Sequence, residues 1–327
     1  MTLDDSKKLC VVLLNYRTPE LVVDCLTSLL PELVAIDSRV VVVDNYSEDD
    51  SIAIISKWIA DNNCSSFVEI VDSGFNGGFA SGNNFGISRI KSTYYLLLNS
   101  DTLIRKHSIR EMLKAMDEDD QIGLLSPRLE WPDSLPQESC FRYHTPISEM
   151  IASSGTGIVL KLFSRFEVAH RISQASADYD WVSFACVLVR GQAFTDIGLL
   201  DDDFFMYFED VDFCYRAKRA GWKIKNHPAA KVVHLRGGSS PVKDNIKARK
   251  RQVRYYYESR TRYFYKLYGR VGLFAANVMW TVGWLFACLR SLLQPTFQPP
   301  VCKLEWKDIW TNFSSPKRRY IHPKDYK

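Results

Sequence analysis

Four short apolar runs in the first hundred residues leave few architectures open. They are "LCVVLLN" (9–15), "VVVVD" (40–44), "FVEIVDS" (67–73) and "YYLLLNSD" (94–101), with helix-like stretches between them. The first two are apolar almost throughout, where a strand with one wet face would alternate. Such runs suit strands buried on both faces, as in a parallel sheet. In "TPELVVDCLTSLL", Thr18 is a candidate helix cap and Pro19 suits the first helical position. In "SEDDSIAIISKWIA", Ser47 is a candidate cap with Asp50 three residues on. Repeated strand–helix units predict an α/β protein, its sheet covered on both sides and its ligands at the strand carboxyl ends.

The polar residues follow that rule. Asn15, Asp44, Asp72 and the triplet Asn99-Ser100-Asp101 each end an apolar run. Any one could be a loop-starting cap, but four such ends in one sheet favour a shared site. Residues 125–180 have no clear period and carry Pro127, Pro132, Pro136 and Pro146. "WVSFACVLVRG" (181–191) predicts a strand, "DVDFCYRAKRAG" a helix from near Asp210 to Gly221, and "WKIKNHPAAKVVHL" an extended stretch ending at His234. From Ile246 to Tyr268 the pattern predicts a long basic-aromatic helix, followed by the apolar run "VGLFAANVMWTVGWLFACL" (271–289).

The formal charge of +4 is concentrated, since Lys247 to Arg270 holds nine Lys or Arg against the single acid Glu258. The apolar run is about long enough to span a bilayer, which takes ~20 residues. Gly272, Asn277, Thr281 and Gly283 weaken that reading, so a membrane element and a buried or dimer-forming helix both stay open. Eight scattered cysteines without a C-x-x-C pair suit a reducing compartment. The start "MTLDDSKKLC" has no apolar signal core, so the expected location is cytoplasmic.

"GFNGGFASG" (74–82) is glycine-rich, but it follows the third run rather than the first, which excludes the dinucleotide-binding fingerprint. A P-loop is absent. Asp101 is a hard oxygen donor suited to Mg²⁺ or Mn²⁺ against phosphate, and His234, at another strand end, could supply a second ligand. "FFMYFEDVDFCYR" (204–216) sets Glu209, Asp210 and Asp212 directly after an aromatic group.

Six blocks in order then carry a resemblance: "VVLLNYRTPELVVDCLTSL", "VVVVDNYSEDDS", "NGGFASGNNFGI", "YYLLLNSDTLI", "WVSFACVLVRGQAFTDIGLLDDDFFMYFEDVDFCYRAKRAGWKI" and "VVHLRGGSS". Across about residues 9–240, with a poorly matched gap at 131–177, the chain resembles a family 2 glycosyltransferase, nearest its rhamnosyltransferase-like branch. The resemblance implies a GT-A fold, a Rossmann-like nucleotide-diphospho-sugar transferase domain over 1–240, and leaves 241–327 as a helical extension. It implies Asp44 at the pyrimidine base, with Asn15 and Tyr16 beside it, and Asn76, Gly77 and Gly78 near base or ribose. Asn99 stands where the family has the first Asp of D-x-D, followed by Ser100, and Asp101 and His234 take the metal-ligand places. Asp210 of "FED" would be the general base of an inverting transfer, with Glu209 beside it. Trp181 and Phe184 would line acceptor space, and Phe184 stands where the family has a small residue.

The implied reaction moves L-rhamnose from dTDP-rhamnose to a surface glycan or lipid-linked acceptor, with Mg²⁺ or Mn²⁺. UDP-galactofuranose, UDP-N-acetylhexosamine or another UDP-sugar competes as donor. A non-catalytic sugar-nucleotide-binding assembly subunit is the reading from another class. The expected partners are a cytoplasmic membrane face, as a peripheral protein, and a second copy of the chain; nucleic acid is not among them.

Overall fold

The computed structural model describes residues 6–173, 175–236 and 241–326. The first part alternates β1 (Lys7–Asn15), α1 (Pro19–Leu29), β2 (Ser38–Asp44), α2 (Ser51–Asp61), β3 (Val68–Asp72), α3 (Gly78–Arg89) and β4 (Ser92–Asn99). A short β5 (Thr102–Ile104), α4 (Ser108–Glu118) and β6 (Ile122–Glu130) follow. Next come β7 (Cys140–Phe141), α5 (Pro146–Ser154), α6 (Gly157–Leu162), β8 (Ala177–Asp178), β9 (Trp181–Val182), β10 (Cys186–Arg190) and α7 (Gly191–Ile197). The chain continues through α8 (Glu209–Arg219), β11 (Lys223–His234), α9 (Val242–Ala248) and the forty-residue α10 (Arg254–Leu293).

Among the described residues the main sheet has nine strands, ordered β3-β2-β1-β4-β10-β6-β11-β5, with β8 on β11. Strands β1 to β4 are parallel neighbours, whereas β10 runs antiparallel to both β4 and β6. Successive β1 residues serve opposite faces. Leu9, Val11 and Leu13 pack with Val22 and Leu26 of α1 and Ile55 of α2, while Cys10 and Val12 pack with Ala80 and Ile87 of α3. Each large aliphatic side chain among them contributes roughly 1.5–3 kcal/mol on burial. On the second face α3 lies close, because a Cβ at Gly86 would run into Val12 and one at Gly82 into Leu14.

The chain is organised as two compact units. One takes Met1–Phe141, Arg171–Asp202 and Asp210–Ser239; the other takes Arg142–His170, Asp203–Glu209 and Ser240–Lys327. The sequence boundary near residue 240 therefore leaves out two segments that pack with the C-terminal helices. Within that second unit α5 lies against α10. Gly283 lets α10 approach the Met150 backbone, Ser153 Oγ donates to the Trp280 carbonyl at 2.8 Å, and Arg260 pairs with Glu149.

Three local expectations are corrected. "WVSFACVLVRG" is two strands rather than one, since β9 pairs with β7 and β10 with β4, with a break at 183–185. Ser47 is not a helix cap: α2 begins after Asp50, and Ser47 is spent on Asp44. The basic-aromatic helix is interrupted, as α9 ends at a left-handed Arg249 and α10 starts afresh at Arg254, with a further break at Gly269 (φ 68°). Beyond that break α10 buries Leu273, Ala276, Trp280 and Ala287 and exposes Val271, Phe274, Leu285, Phe286, Leu289, Leu292 and Leu293.

Candidate functional site

Register places the polar strand ends in one row. Asn15 is paired with Asp44, Asp44 with Asp72, and Leu14 with Asn99. Asn15 and Asp44 are buried, and the Asn15 amide donates to Asp44 Oδ1 at 2.6 Å. The same carboxylate accepts the Ser47 hydroxyl at 2.6 Å and the Ser47 N–H at 2.9 Å. Of the roughly four lone-pair sites a carboxylate offers, these bonds use three and leave one on Oδ2. Asp44 thus also fixes Asn15 and Ser47. Tyr16, half-buried, lies under the Arg17 guanidinium at 5.2 Å, and Arg17 Nε donates to the Ser47 carbonyl at 2.9 Å.

The loop entering α3 is built on Asn76, whose Oδ1 accepts from the Gly78 N–H at 3.0 Å and from the Asn45 amide at 3.1 Å. Gly78 sits at φ 84°, which a side chain would resist, and a Cβ at Gly77 would collide with Ser81. The result is a helix amino terminus beside the row, where backbone N–H groups and the helix dipole favour an anion. Asn45 holds this loop to β2, a role that sequence reasoning misses. Ser100 joins the row through the Thr18 hydroxyl at 2.9 Å, which is also why Thr18 makes no side-chain cap to α1.

Antiparallel pairing of β5 with β11 sets His234 opposite Thr102, next to Asp101. His234 Nε2 lies 3.5 Å from Asp101 Oδ1, and both residues are buried. His234 Nδ1 is buried with no hydrogen-bond partner among the described residues. An imidazole Nε2 and a carboxylate oxygen facing each other at this separation fit a divalent cation of the Mn²⁺ or Mg²⁺ type. The backbone beneath them is locked: Leu235 N–H donates to the Asp101 carbonyl at 2.9 Å, and Gln137 donates to the His234 carbonyl at 2.7 Å. Gln137 carries no sequence signal, because it comes from the stretch without a period.

Asp210 lies at the start of α8, and its carboxylate accepts the Val211 N–H at 2.8 Å as well as the Phe184 N–H. Burial raises its pKa to about 7; the backbone donors oppose this and lose. The helix is anchored by Arg216, which pairs with Asp212 at 2.9 Å and donates to the Ile197 and Leu199 carbonyls. Glu209 is buried beside Asp210 in the chain. Phe184 is only 2% exposed and its ring packs edge-on to Phe213 at 6.0 Å, so this side chain belongs to the core and its backbone serves Asp210. Trp181 stacks on Phe141 at 4.2 Å and keeps part of its surface in solvent.

The residues before Glu209 are held in the C-terminal unit. Tyr207 (φ 72°) and Phe208 (φ 68°) are both left-handed, a costly conformation for aromatic residues. Rings hold them there: Tyr207 against Tyr255 and Tyr256, Phe208 against Tyr263 and His144, while Ser259 donates to the Met206 carbonyl at 3.0 Å.

Comparison with known proteins agrees on the class. The family model "Glycosyl transferase family 2" matches residues 10–136, and "Glycosyl transferase family group 2" matches residues 94–303. A low-salt glycan biosynthesis hexosyltransferase, Agl10 of Haloferax volcanii, is 27% identical over 236 residues, 71% of this chain and 67% of that protein. An N-acetylglucosaminyl-diphospho-decaprenol L-rhamnosyltransferase of Mycobacterium tuberculosis is 29% identical over 148 residues. That match covers 45% of this chain and about half, 48%, of the relative. Among solved structures, a mannosyltransferase from Pyrobaculum calidifontis in complex with GDP-Man and Mn²⁺ superposes with a TM-score of 0.54 at 12% identity. It covers 97% of this chain and 88% of its own, and it shows the shared GT-A fold.

Proposed function

The chain belongs to the family 2 glycosyltransferases, and from that premise we propose that it is an inverting, metal-dependent enzyme transferring L-rhamnose from dTDP-rhamnose to a glycan or lipid-linked glycan. It is a glycosyltransferase using a nucleotide sugar. The rhamnosyl donor is supported by the rhamnosyltransferase relative. The observation that carries the mechanism is Asp210, a recessed carboxylate with a raised pKa at the amino end of α8.

In this reading Asp210 takes the proton of an acceptor hydroxyl as that oxygen attacks the anomeric carbon. The new carbon–oxygen bond forms opposite the breaking bond to phosphate, whose electron pair leaves with the nucleoside diphosphate. A pKa of about 7 keeps the base substantially ionised yet basic at neutral pH. Asp101 and His234 would hold Mg²⁺ or Mn²⁺, which when bound offsets charge on the diphosphate. Asp44, Asn15 and Asn76 would address the nucleoside, and Asn99 and Ser100 the ribose side. The amino end of α3, with its helix dipole, suits phosphate.

We further propose peripheral attachment to the cytoplasmic face of a membrane through the exposed apolar side of α10, supported by its neighbouring basic residues. A donor panel read by nucleotide release tests the main proposal. dTDP-rhamnose should turn over fastest, and a faster UDP-galactofuranose or UDP-N-acetylglucosamine would sink the rhamnosyl reading.

A further inference from the structure

The C-terminal unit contains a second polar–aromatic cluster that the donor chemistry does not use. Tyr256 of α10 stands 5.8 Å from the Tyr207 ring and 6.0 Å from Phe208, and His144 stands 5.3 Å from Phe208. Beside them Arg260 donates to Glu149 and to Asn277, each at 2.8 Å. Glu305 accepts the Cys302 N–H at 2.6 Å, bonds Trp280, and feels the charges of both Glu149 and Arg260. Tyr207, Tyr256, His144 and Glu305 keep part of their surface in solvent, whereas Glu149 and Arg260 are buried.

Helix packing alone does not account for three features. Asn277 is fully buried, yet its Nδ2 has no acceptor among the described residues, and the Tyr257 hydroxyl, in a residue 1% exposed, has no partner among them either. Buried polar atoms left unpaired mark a place where a water or ligand is wanted. Burial also raises the Glu305 carboxyl to about 7, so it can donate as well as accept near neutrality. Finally, the backbone strain at Tyr207 and Phe208 falls on the two rings that face this cluster, and such strain gathers at ligand clamps.

We propose that this cluster is a subsite for one pyranose ring of the acceptor, which rests on the reading above that the acceptor is a glycan. A pyranose offers an apolar C–H face and a hydroxyl rim. The face suits Tyr256 and Tyr207. The rim suits Glu305, which can accept or donate, while the buried Arg260–Glu149–Asn277 bonds brace the wall behind it. Phe208 precedes Asp210 by two residues, a chain distance of at most about 7.6 Å, so covalent connection alone keeps one end of this wall within a sugar ring's reach of that residue's backbone.

The test titrates the full-length protein with octyl hexopyranosides, read by tyrosine and tryptophan fluorescence, with UDP and dTDP titrated in parallel. Tyr256→Ala should weaken glycoside binding about tenfold or more, equal to about 1.4 kcal/mol, with nucleotide affinity retained. Tyr256→Phe, which keeps the ring, should stay near wild type, and Glu305→Gln should weaken binding less than Tyr256→Ala. Unchanged glycoside affinity in both Tyr256→Ala and Glu305→Gln overturns the subsite. So does parallel loss of glycoside and nucleotide affinity, or a wild-type protein that binds none of the glycosides. Glycoside binding without transfer would instead support the subsite and count against the proposed reaction.

Discussion

Asp210→Asn should make the enzyme inactive and, at alkaline pH, more stable than its parent. The folded-state pKa of Asp210 is raised from 3.8 to about 7, so folding favours the protonated acid. Sign follows from that: the stabilising contribution of protonation is complete below about pH 4 and is lost as pH rises through 7. A rise of about three pH units corresponds to about 4 kcal/mol at most, and part exposure of Asp210 makes this an upper bound. Asparagine does not titrate. Between about pH 5.5 and 8.5 its advantage over aspartate should therefore grow by about 2 kcal/mol, the share of the change lying in that window. Thermal unfolding of both proteins at the two pH values reads this as a double difference. Activity is measured alongside. Wild-type kcat/KM should climb tenfold per pH unit below 7 and level off above it, while the variant loses at least about a hundredfold. A stability difference that does not change with pH would refute the raised pKa, and a variant retaining half the wild-type rate would remove Asp210 from the base role.

Exhaustive chelation should stop turnover and Mn²⁺ or Mg²⁺ restore it, with Asp101→Ala weakening donor binding more than His234→Ala; full activity in chelator would overturn the metal pair. Asp44→Ala should impair dTDP- and UDP-sugars alike, because it also releases Asn15 and Ser47; a donor-selective defect measured by nucleotide titration would contradict that. Flotation with anionic liposomes should carry the full-length protein at low salt and less at high salt. Leu285→Asp together with Leu289→Asp should abolish it, and equal flotation of variant and parent would return α10 to a protein–protein role.

The strand ends can be read from sequence because burial on both faces forces apolar runs to stop where the sheet stops. Asn15, Asp44 and Asn99 are legible for that reason, and register aligns them. Strand ends make His234 a candidate partner for Asp101, and the resemblance selects it, since the pairing depends on β11 lying antiparallel to β5 across more than a hundred residues of chain. Ser47, Thr18, Asn45 and Gln137 are not legible as site residues, because a short polar side chain looks alike whether it caps a helix or braces a carboxylate. The resemblance makes Phe184 a pocket wall, while packing with the β10 side chains draws it into the core. The association of 142–170 with α10 has no periodic signal at all, being carried by Gly283, Glu149 and a few hydroxyls.

The left-handed turn at Tyr207 and Phe208 depends on residues that lie well downstream of it in the chain. Every ring of α10 that holds it, Tyr255, Tyr256 and Tyr263, is encoded downstream of the last sheet strand. A nascent chain that has released β11 from the ribosome has every strand found among the described residues, but the two strained residues still lack the α10 rings of their clamp. The α10 rings that clamp this turn therefore reach it only after a further stretch of chain has been made.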